Sequence, residues 1–439
     1  MRPDLDRLAD LKLAAVVMTG GRLRALVLEL WQRTRMDWGF VTDRLATTFR
    51  KEKWIGAHER RFIGETLYGL VRHLRRVDLA LERARKTKRA PRDLERLLAL
   101  LVLEKLVEPA AAAKLEPELD WRAVAGVDDA IARERKPAAR IALAASLPDW
   151  LAARFVADWG DEAEALALAL NQRAPMTVRA NLLVGDRDNL VKELAREKLA
   201  TRPGAWCDTA VIVESRTNLF ALDAFQRGAM EAQDEGSQLL ADLVGRAKLV
   251  VDLCAGAGGK TLAIAARLGN HGRIVATDID SKKLDELRRR ARRATVTIAQ
   301  AIHLDQGRWT PTIDALRAKA DVVFVDAPCS GLGALRRNPE ARWRLREADL
   351  ADFAKRQSEI LANARTLCAP GGRIVYGTCT LLRVENQDVI AGVVAAHPEL
   401  VVVPFTNPAL GDGTAFTVTP HRHGTDGFFA TILSTPAGP

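Results

Sequence analysis

Five apolar runs, LVVDLC (249–254), RIVATDI (273–279), VTIAQAI (296–302), DVVFVDA (321–327) and RIVYGTC (373–379), are separated by helix-length segments. Strands that read as continuous apolar runs are buried on both faces, and strands alternating with helices pair in parallel. The second half of the chain is therefore expected to form a parallel sheet covered on both sides. Ligands in such sheets sit beyond the carboxyl ends of the strands. The polar residues that interrupt the pattern fall at those ends.

The first run leads into Cys254-Ala255-Gly256-Ala257-Gly258-Gly259-Lys260-Thr261. Glycines permit a tight turn and a close approach of backbone to ligand, and the helix that follows presents free N–H groups. A dinucleotide fingerprint would need glycine at 261, and a Walker-type phosphate loop would need it at 254. The chain has Thr261 and Cys254 instead. An S-adenosylmethionine site needs only a glycine turn and an acid closing the next strand. Asp278 supplies that acid, placed to accept from both ribose hydroxyls. Asp305, just past the third run, is expected to accept from an adenine amino group. The competing role for Asp278 is a helix cap ahead of DSKKL (280–284).

Asp326-Ala327-Pro328-Cys329 closes the fourth run and Thr378-Cys379 the fifth. In a parallel sheet these ends are neighbours, so two thiols and a carboxylate converge beside the glycine loop. Cysteines inside sheets are usually inert small hydrophobes, which suits Cys254 and Cys368. Cys329 and Cys379 differ because each sits where strand gives way to loop. Methylation at C5 of cytosine or uracil needs such a trio, because that carbon is too weakly nucleophilic to take a methyl group directly. A thiolate adding to C6 makes C5 enamine-like, and an acid hydrogen-bonded at N3 stabilises the developing charge. A base must then remove the C5 proton so that the thiol can leave. Asp326 suits N3, and the cysteines divide attack and release. The residues alone leave open which thiol does which.

The rest of the chain sets the context. Residues 1–150 carry helical spacing throughout, as in Leu23, Leu26, Val27 and Leu30 or Phe62, Leu67, Leu70, Val71 and Leu74. Between 151 and 228, MTVRANLL (176–183) and TAVIVES (209–215) read as short strands flanking a helix at 187–199. Three domains are expected, at 1–150, 151–228 and 229–439. Five scattered cysteines without a Cys-x-x-Cys pair argue against a disulfide framework and a structural zinc site, and for a reducing cytoplasm. His421 and His423 lack a third ligand nearby, so no metal is expected. No apolar run approaches the ~18 residues of a membrane span, and the acidic first ten residues argue against a secretory signal.

The net charge is +10, and residues 1–100 alone carry 23 basic and 13 acidic side chains. Such a basic excess suits a polyanionic partner. Its densest stretches are ERARKTKRAPR (82–92) and SKKLDELRRRARR (281–293). Each is either a solvated helix face or a phosphate grip.

VDLCAGAGGKT (251–261), DVVFVDAPCSGLGALRRNPEARW (321–343) and YGTCTLLRVENQ (376–387) resemble the Nop/Sun family of RNA cytosine-5 methyltransferases. AMEAQDEGSQLLADLV (229–244) and HGTDGFFATIL (423–433) are similar to the family's flanking motifs. The resemblance implies a Rossmann-like class I methyltransferase domain that uses S-adenosylmethionine. It implies that Cys379 is the nucleophile, that Cys329 assists product release, and that Asp326 holds the base. It maps the cofactor segment onto Cys254, Ala255, Gly256, Ala257, Gly258, Gly259 and Lys260, with Asp278, Asp305 and Asp326 as further contacts. Many members have Ala-Pro where this chain has Gly256-Ala257, which implies a looser turn.

RFIGETLYGLVRHLRRVD (61–78) makes the helical region similar to the NusB-like RNA-binding domain of the bacterial small-subunit rRNA methyltransferase B group. The piece between then resembles that group's small RRM-like domain. On this basis Arg336, Arg337 and Arg342, with Arg72, Arg75 and Arg76, are expected to grip RNA phosphates. The expected activity is methyl transfer to a cytosine of RNA, most simply 16S rRNA, with tRNA as another substrate, by a cytoplasmic monomer. A non-catalytic RNA-binding assembly factor and a DNA cytosine-5 methyltransferase are the competing readings.

Overall fold

The computed structural model describes residues 3–215 and 217–437, with side chains from residue 7 onward. Residues 1–2 and 438–439 of the expected end domains lie outside the described residues. Contacts divide the chain into two compact units, Met1–Arg173 with Leu335–Glu347, and Ala174–Ala334 with Ala348–Pro439. Among the described residues, no helix is long and apolar enough to cross a membrane.

The first unit is helical throughout its described residues. Leu23, Val27, Leu30 and Trp31 line one face of the helix Gly21–Asp37. They share a core with Phe62, Ile63, Leu67 and Leu70 of Ala57–Arg72 and with Leu97, Leu98 and Leu101 of Asp93–Leu103. Leu26 and Leu74 flank that core, half-buried. Helices run past residue 150 as far as Ala169. Pro148 is the N-cap of Asp149–Trp159, where its missing N–H costs nothing.

The basic stretch 82–92 has a structural role. Glu95 is fully buried, and Arg85, Arg89 and Arg92 all reach its carboxylate. The Arg92 backbone N–H also donates to it at 2.8 Å. Burial alone would raise Glu95, but the Arg89 hydrogen bond and the Arg92 N–H outweigh it and bring the group down to about 2. Glu95→Gln is expected to destabilise the protein by about 3 kcal/mol at neutral pH, since it leaves the buried Arg85 guanidinium uncompensated. A carboxyl depressed by folding stabilises above its ordinary value of 4.5 and loses that contribution as pH falls toward about 2. Denaturant titrations of the two proteins should therefore converge across that window.

Leu335–Glu347 joins this helical unit although it follows the Pro-Cys loop in sequence. Arg342 is its anchor. The side chain is 0% exposed and donates to Pro339 O at 3.0 Å, Ala145 O at 2.7 Å and Asn171 Oδ1 at 2.7 Å. Trp343 Nε1 donates to Val71 O at 2.9 Å.

The second unit opens with a four-stranded antiparallel sheet of β1 (Met176–Ala180), β2 (Thr201–Pro203), β3 (Ala210–Val213) and β4 (Met230–Ala232), in the order β2-β3-β1-β4. With the helix Arg187–Arg196 between β1 and β2 and the short helix Asp223–Gln226 before β4, this is a βαββαβ, ferredoxin-like arrangement. The last strand lies beyond residue 228, where the small domain was expected to end. One face packs on Leu190 and Leu194. The other buries Thr177, Arg179 and Glu231, so it is not an open aromatic platform for RNA bases.

The larger sheet contains β5 (Leu249–Asp252), β6 (Arg273–Asp278), β7 (Ala299–His303), β8 (Ala320–Asp326), β9 (Cys368–Thr378), β10 (Val401–Val403), β13 (Ala415–Val418) and β14 (Phe428–Ser434). Between β10 and β13, β11 (Phe405–Asn407) and β12 (Gly411–Gly413) form a separate hairpin. The order is β10-β14-β9-β8-β5-β6-β7, with β13 also pairing β14. β5 to β9 are parallel, as expected. β10, β13 and β14 are antiparallel, so the sheet is mixed, not wholly parallel. Alternate residues point to opposite faces: Val250, Val322 and Phe324 enter one core, Val251, Val323 and Val325 the other. Order reverses between β5 and β8, which opens a crevice at their carboxyl ends.

Candidate active site

Four strand ends meet at that crevice. After β5 the chain turns through Cys254–Gly258 into the helix Gly259–Arg267. Gly256 (φ +53°) and Gly258 (φ +84°) require the left-handed region. A Cβ on Gly258 would lie 2.6 Å from Leu287, whereas one on Gly256 would project into open space. The loop is pinned from both sides. Asp278, closing β6, accepts from Gly256 N at 2.8 Å, and Arg290 donates to Ala257 O at 2.9 Å.

Asp278 is not the helix cap. That role belongs to Asp280, which accepts from Lys282 N and Lys283 N. Asp278 also accepts from Asp280 N at 2.9 Å. A carboxylate has about four acceptor positions, so two loop bonds leave room for diol hydroxyls. Asp305 lies exposed past β7 in the short 3₁₀ turn Asp305–Gly307, near the same edge. The open space at Gly256, the free N–H groups of a nine-residue helix and the adjacent acids suit a nucleoside-bearing cofactor.

Asp326 ends β8, and its Oδ2 meets Lys260 Nζ at 2.6 Å; both side chains are largely buried. Burial works against the Lys260 ammonium, but Asp326 overcomes it and the lysine ends above its ordinary value. Lys260 also lies 5.3 Å above the Phe428 ring. Cys329 and Cys379 bring their sulfurs to 3.4 Å. The hydrogen bond shared with Cys379, and then burial, hold Cys329 well above the ordinary thiol range. Cys254 is pushed up by burial first and by Asp252 next, and belongs to the packed strand end.

Two of the six arginines expected to grip RNA are buried, and three others are bonded within the fold. All six lie in the helical unit. Arg342 is fully buried and Arg336 is 4% exposed, so neither presents a guanidinium to a phosphate. Arg72 donates to Arg336 O, Arg75 to Leu147 O and Asp149, and Arg76 bidentately to Asp128. Arg337 is half-buried. In 281–293, Arg290 and Arg293 hold the buried Glu231, and Lys282, Lys283 and Arg292 remain exposed. The bonded arginines share a physical reason: a planar fork of donors is well matched by carbonyls and carboxylates of its own fold.

Sequence reasoning gave no role to Glu385 and Asn386, which are 0% and 2% exposed. Glu385 accepts from Ser330, next to Cys329, and Asn386 bonds Thr378 and Thr380, on either side of Cys379. The available signal was the ENQ of 385–387, a polar cluster soon after a strand-end cysteine.

The family model "16S rRNA methyltransferase RsmB/F" matches residues 243–434, and an RsmF/B-like ferredoxin-like domain matches residues 147–219. The probable ribosomal RNA small subunit methyltransferase B of Synechocystis is 31% identical over 408 residues, 85% of this chain and 91% of that protein. The protein of the same description from Bacillus subtilis is 32% identical over 304 residues, 67% of each chain. The crystal structure of PH0851 superposes with a TM-score of 0.74 at 25% identity, covering 93% of this chain and 97% of that one. Sequence relatives and fold agree over both the ferredoxin-like and the catalytic segments. The chain belongs to the RsmB/F family of 16S rRNA methyltransferases.

Proposed function

We propose that this protein transfers a methyl group from S-adenosylmethionine to C5 of a cytosine in 16S rRNA through a covalent cysteine–C6 adduct. The observation that carries the reading is the 3.4 Å approach of Cys329 and Cys379 beside the Lys260–Asp326 pair. The methyl donor is S-adenosylmethionine, which supplies an electrophilic methyl carbon when bound. Cys254 to Lys260 and Asp278 would hold it, with Asp305 at the adenine end. The Cys379 sulfur bonds to C6 as its thiol proton passes to Asp326, whose carboxyl then donates to N3 and stabilises the charge developing there, and the electrons at C5 take the methyl group. Cys329 then removes the C5 proton, the Cys379–C6 bond breaks, and the ring recovers its aromaticity.

The division of labour has a physical rationale. The first cause raising Cys329 is the Cys379 sulfur. Once that sulfur is bonded to C6 its influence falls away, and Cys329 loses its proton more readily at the stage that needs a base. The helical region 1–150 is read as a NusB-like RNA-binding domain, and the ferredoxin-like piece, which ends with β4 at Ala232, as the connector to the catalytic domain. Exposed Lys282, Lys283 and Arg292, on the helix after Asp278, are the better candidates for phosphate contact.

The test is methyl transfer from labelled donor to deproteinised small-subunit rRNA, with 5-methylcytosine mapped by mass. Cys329→Ala is expected to lose about 10²-fold in multiple turnover and to accumulate a protein–RNA complex that survives denaturing electrophoresis. Equal methylation of DNA oligonucleotides would favour the DNA enzyme reading instead. Binding of RNA without methyl transfer would favour the assembly-factor reading.

A further inference from the structure

Behind the two thiols lies a buried dipeptide, each residue of which is bonded chiefly around one of them. Glu385 accepts from Ser330 N at 2.9 Å and from Ser330 Oγ. It also accepts from Gln357 Nε2 at 3.1 Å, and the same nitrogen donates to Pro328 O at 3.0 Å. Both neighbours of Cys329 are thus tied to one carboxylate. Asn386 does the same for Cys379. Thr378 Oγ1 donates to Asn386 Oδ1 at 2.6 Å, and Asn386 Nδ2 donates to Thr380 O at 3.1 Å. A hydroxyl pair, Ser330 Oγ and Thr380 Oγ1 at 2.8 Å, joins the two loops. Tyr376 Oη donates to Glu385 O at 2.7 Å and fixes the dipeptide to β9.

We propose that Glu385 and Asn386 are positioning residues that hold the two cysteines separately, Glu385 setting Cys329 for product release and Asn386 setting Cys379 for attack. The inference rests on the reading that Cys379 attacks and Cys329 releases. Burying a carboxylate is costly, and this one is raised by that burial. Its bonds, two to Ser330, one to the Gln357 amide that also holds Pro328, and one to Thr380, are what the chain gains for that cost. An enzyme needs its reacting groups held to a fraction of an ångström, and a displacement of about 1 Å costs on the order of 10²-fold.

The consequences for the two residues differ, and the difference separates positioning from general loss of structure. Glu385→Ala leaves attack in place and loosens release. It is expected to lower kcat about 10²-fold, to leave KM for S-adenosylmethionine within about twofold, and to accumulate a covalent rRNA complex like that of Cys329→Ala. Glu385→Gln keeps the shape and part of the bonding, so it should recover much of the loss. Asn386→Ala should slow single-turnover methyl transfer without accumulating any complex. Ser330→Ala and Thr378→Val remove one hydroxyl from each side and should reproduce the two patterns in milder form. They decide the matter if the larger truncations fail to bind the methyl donor.

The experiment is single-turnover and multiple-turnover methylation of deproteinised small-subunit rRNA by the full-length variants, with denaturing gels of the same samples. Complex accumulation on the Glu385 and Ser330 side alone supports the assignment. Wild-type kcat in Glu385→Ala and Ser330→Ala, or the same pattern on both sides, overturns it. Cys329→Ala runs alongside as the control. If it traps no complex, the division of roles between the thiols is what fails, and this inference falls with it; if it traps while Glu385→Ala does not, only the inference falls.

Discussion

Cys379→Ala should lower methyl transfer to small-subunit rRNA by about 10⁴-fold or more. It should also leave no covalent complex with RNA that contains 5-fluorocytosine. Fluorine at C5 cannot leave as a proton would, so the wild-type adduct cannot resolve and is captured as a species of higher mass. The thiol at 379 is set for addition by its place at the end of β9, between two threonines tied to Asn386. Cys329 cannot simply take over. Its neighbours are bound to Glu385 and Gln357, and burial still opposes its thiolate when the sulfur at 379 is gone. Cofactor affinity should survive, because the bonds that shape the glycine loop come from Asp278 and Arg290. The complementary measurement is Cys329→Ala, which should capture RNA even without the fluorine. If Cys379→Ala formed the adduct and Cys329→Ala did not, the roles would be reversed, as in an enzyme whose Pro-Cys thiol attacks.

The catalytic unit was legible because its strands are apolar on both faces. LVVDLC, RIVATDI and DVVFVDA mark β5, β6 and β8 to within two residues, and the acids that end them stand where the runs stop. The third strand begins at Ala299, not 296. The preceding helix is closed by Thr295 in the left-handed region and by a bond from Val296 N to Ala291 O, which uses up the first residues of that run. β14 was visible only as a motif, since an antiparallel strand reached by short connections has no alternating helix to announce it.

The arginines were illegible for a different reason. Charge in sequence does not disclose a partner far along the chain, such as Glu231 for Arg290 or Asn171 for Arg342. Glu385 and Asn386 were missed likewise, because their meaning lies in loops that only the folded sheet brings beside them.

Asp326→Asn carries two effects that can be measured apart. The first is catalytic. Losing the carboxylate at the ring should lower kcat by about 10³-fold, the scale on which a preorganised electrostatic partner acts. The second concerns Lys260, whose burial opposes its charge and whose ammonium is sustained by Asp326. With an amide at 326 the burial is no longer offset, so the lysine falls from above its ordinary value toward below it. At neutral pH the variant then holds an uncompensated buried cation, at a cost of about 3 kcal/mol.

The sign follows from the direction of each shift. A raised lysine stabilises fully below its unfolded value of 10.5 and loses that contribution only as pH climbs through the folded value. A lowered one is penalised while charged and recovers as pH rises toward 10.5. Denaturant titrations should therefore show the gap between wild type and Asp326→Asn narrowing from pH 7 to pH 10. Asp326→Glu separates the effects: it restores the counter-ion, and so most of the stability, but moves the carboxylate by one methylene and leaves kcat low. Wild-type kcat in Asp326→Asn would remove this residue from the ring contact and leave it as the counter-ion of Lys260 alone.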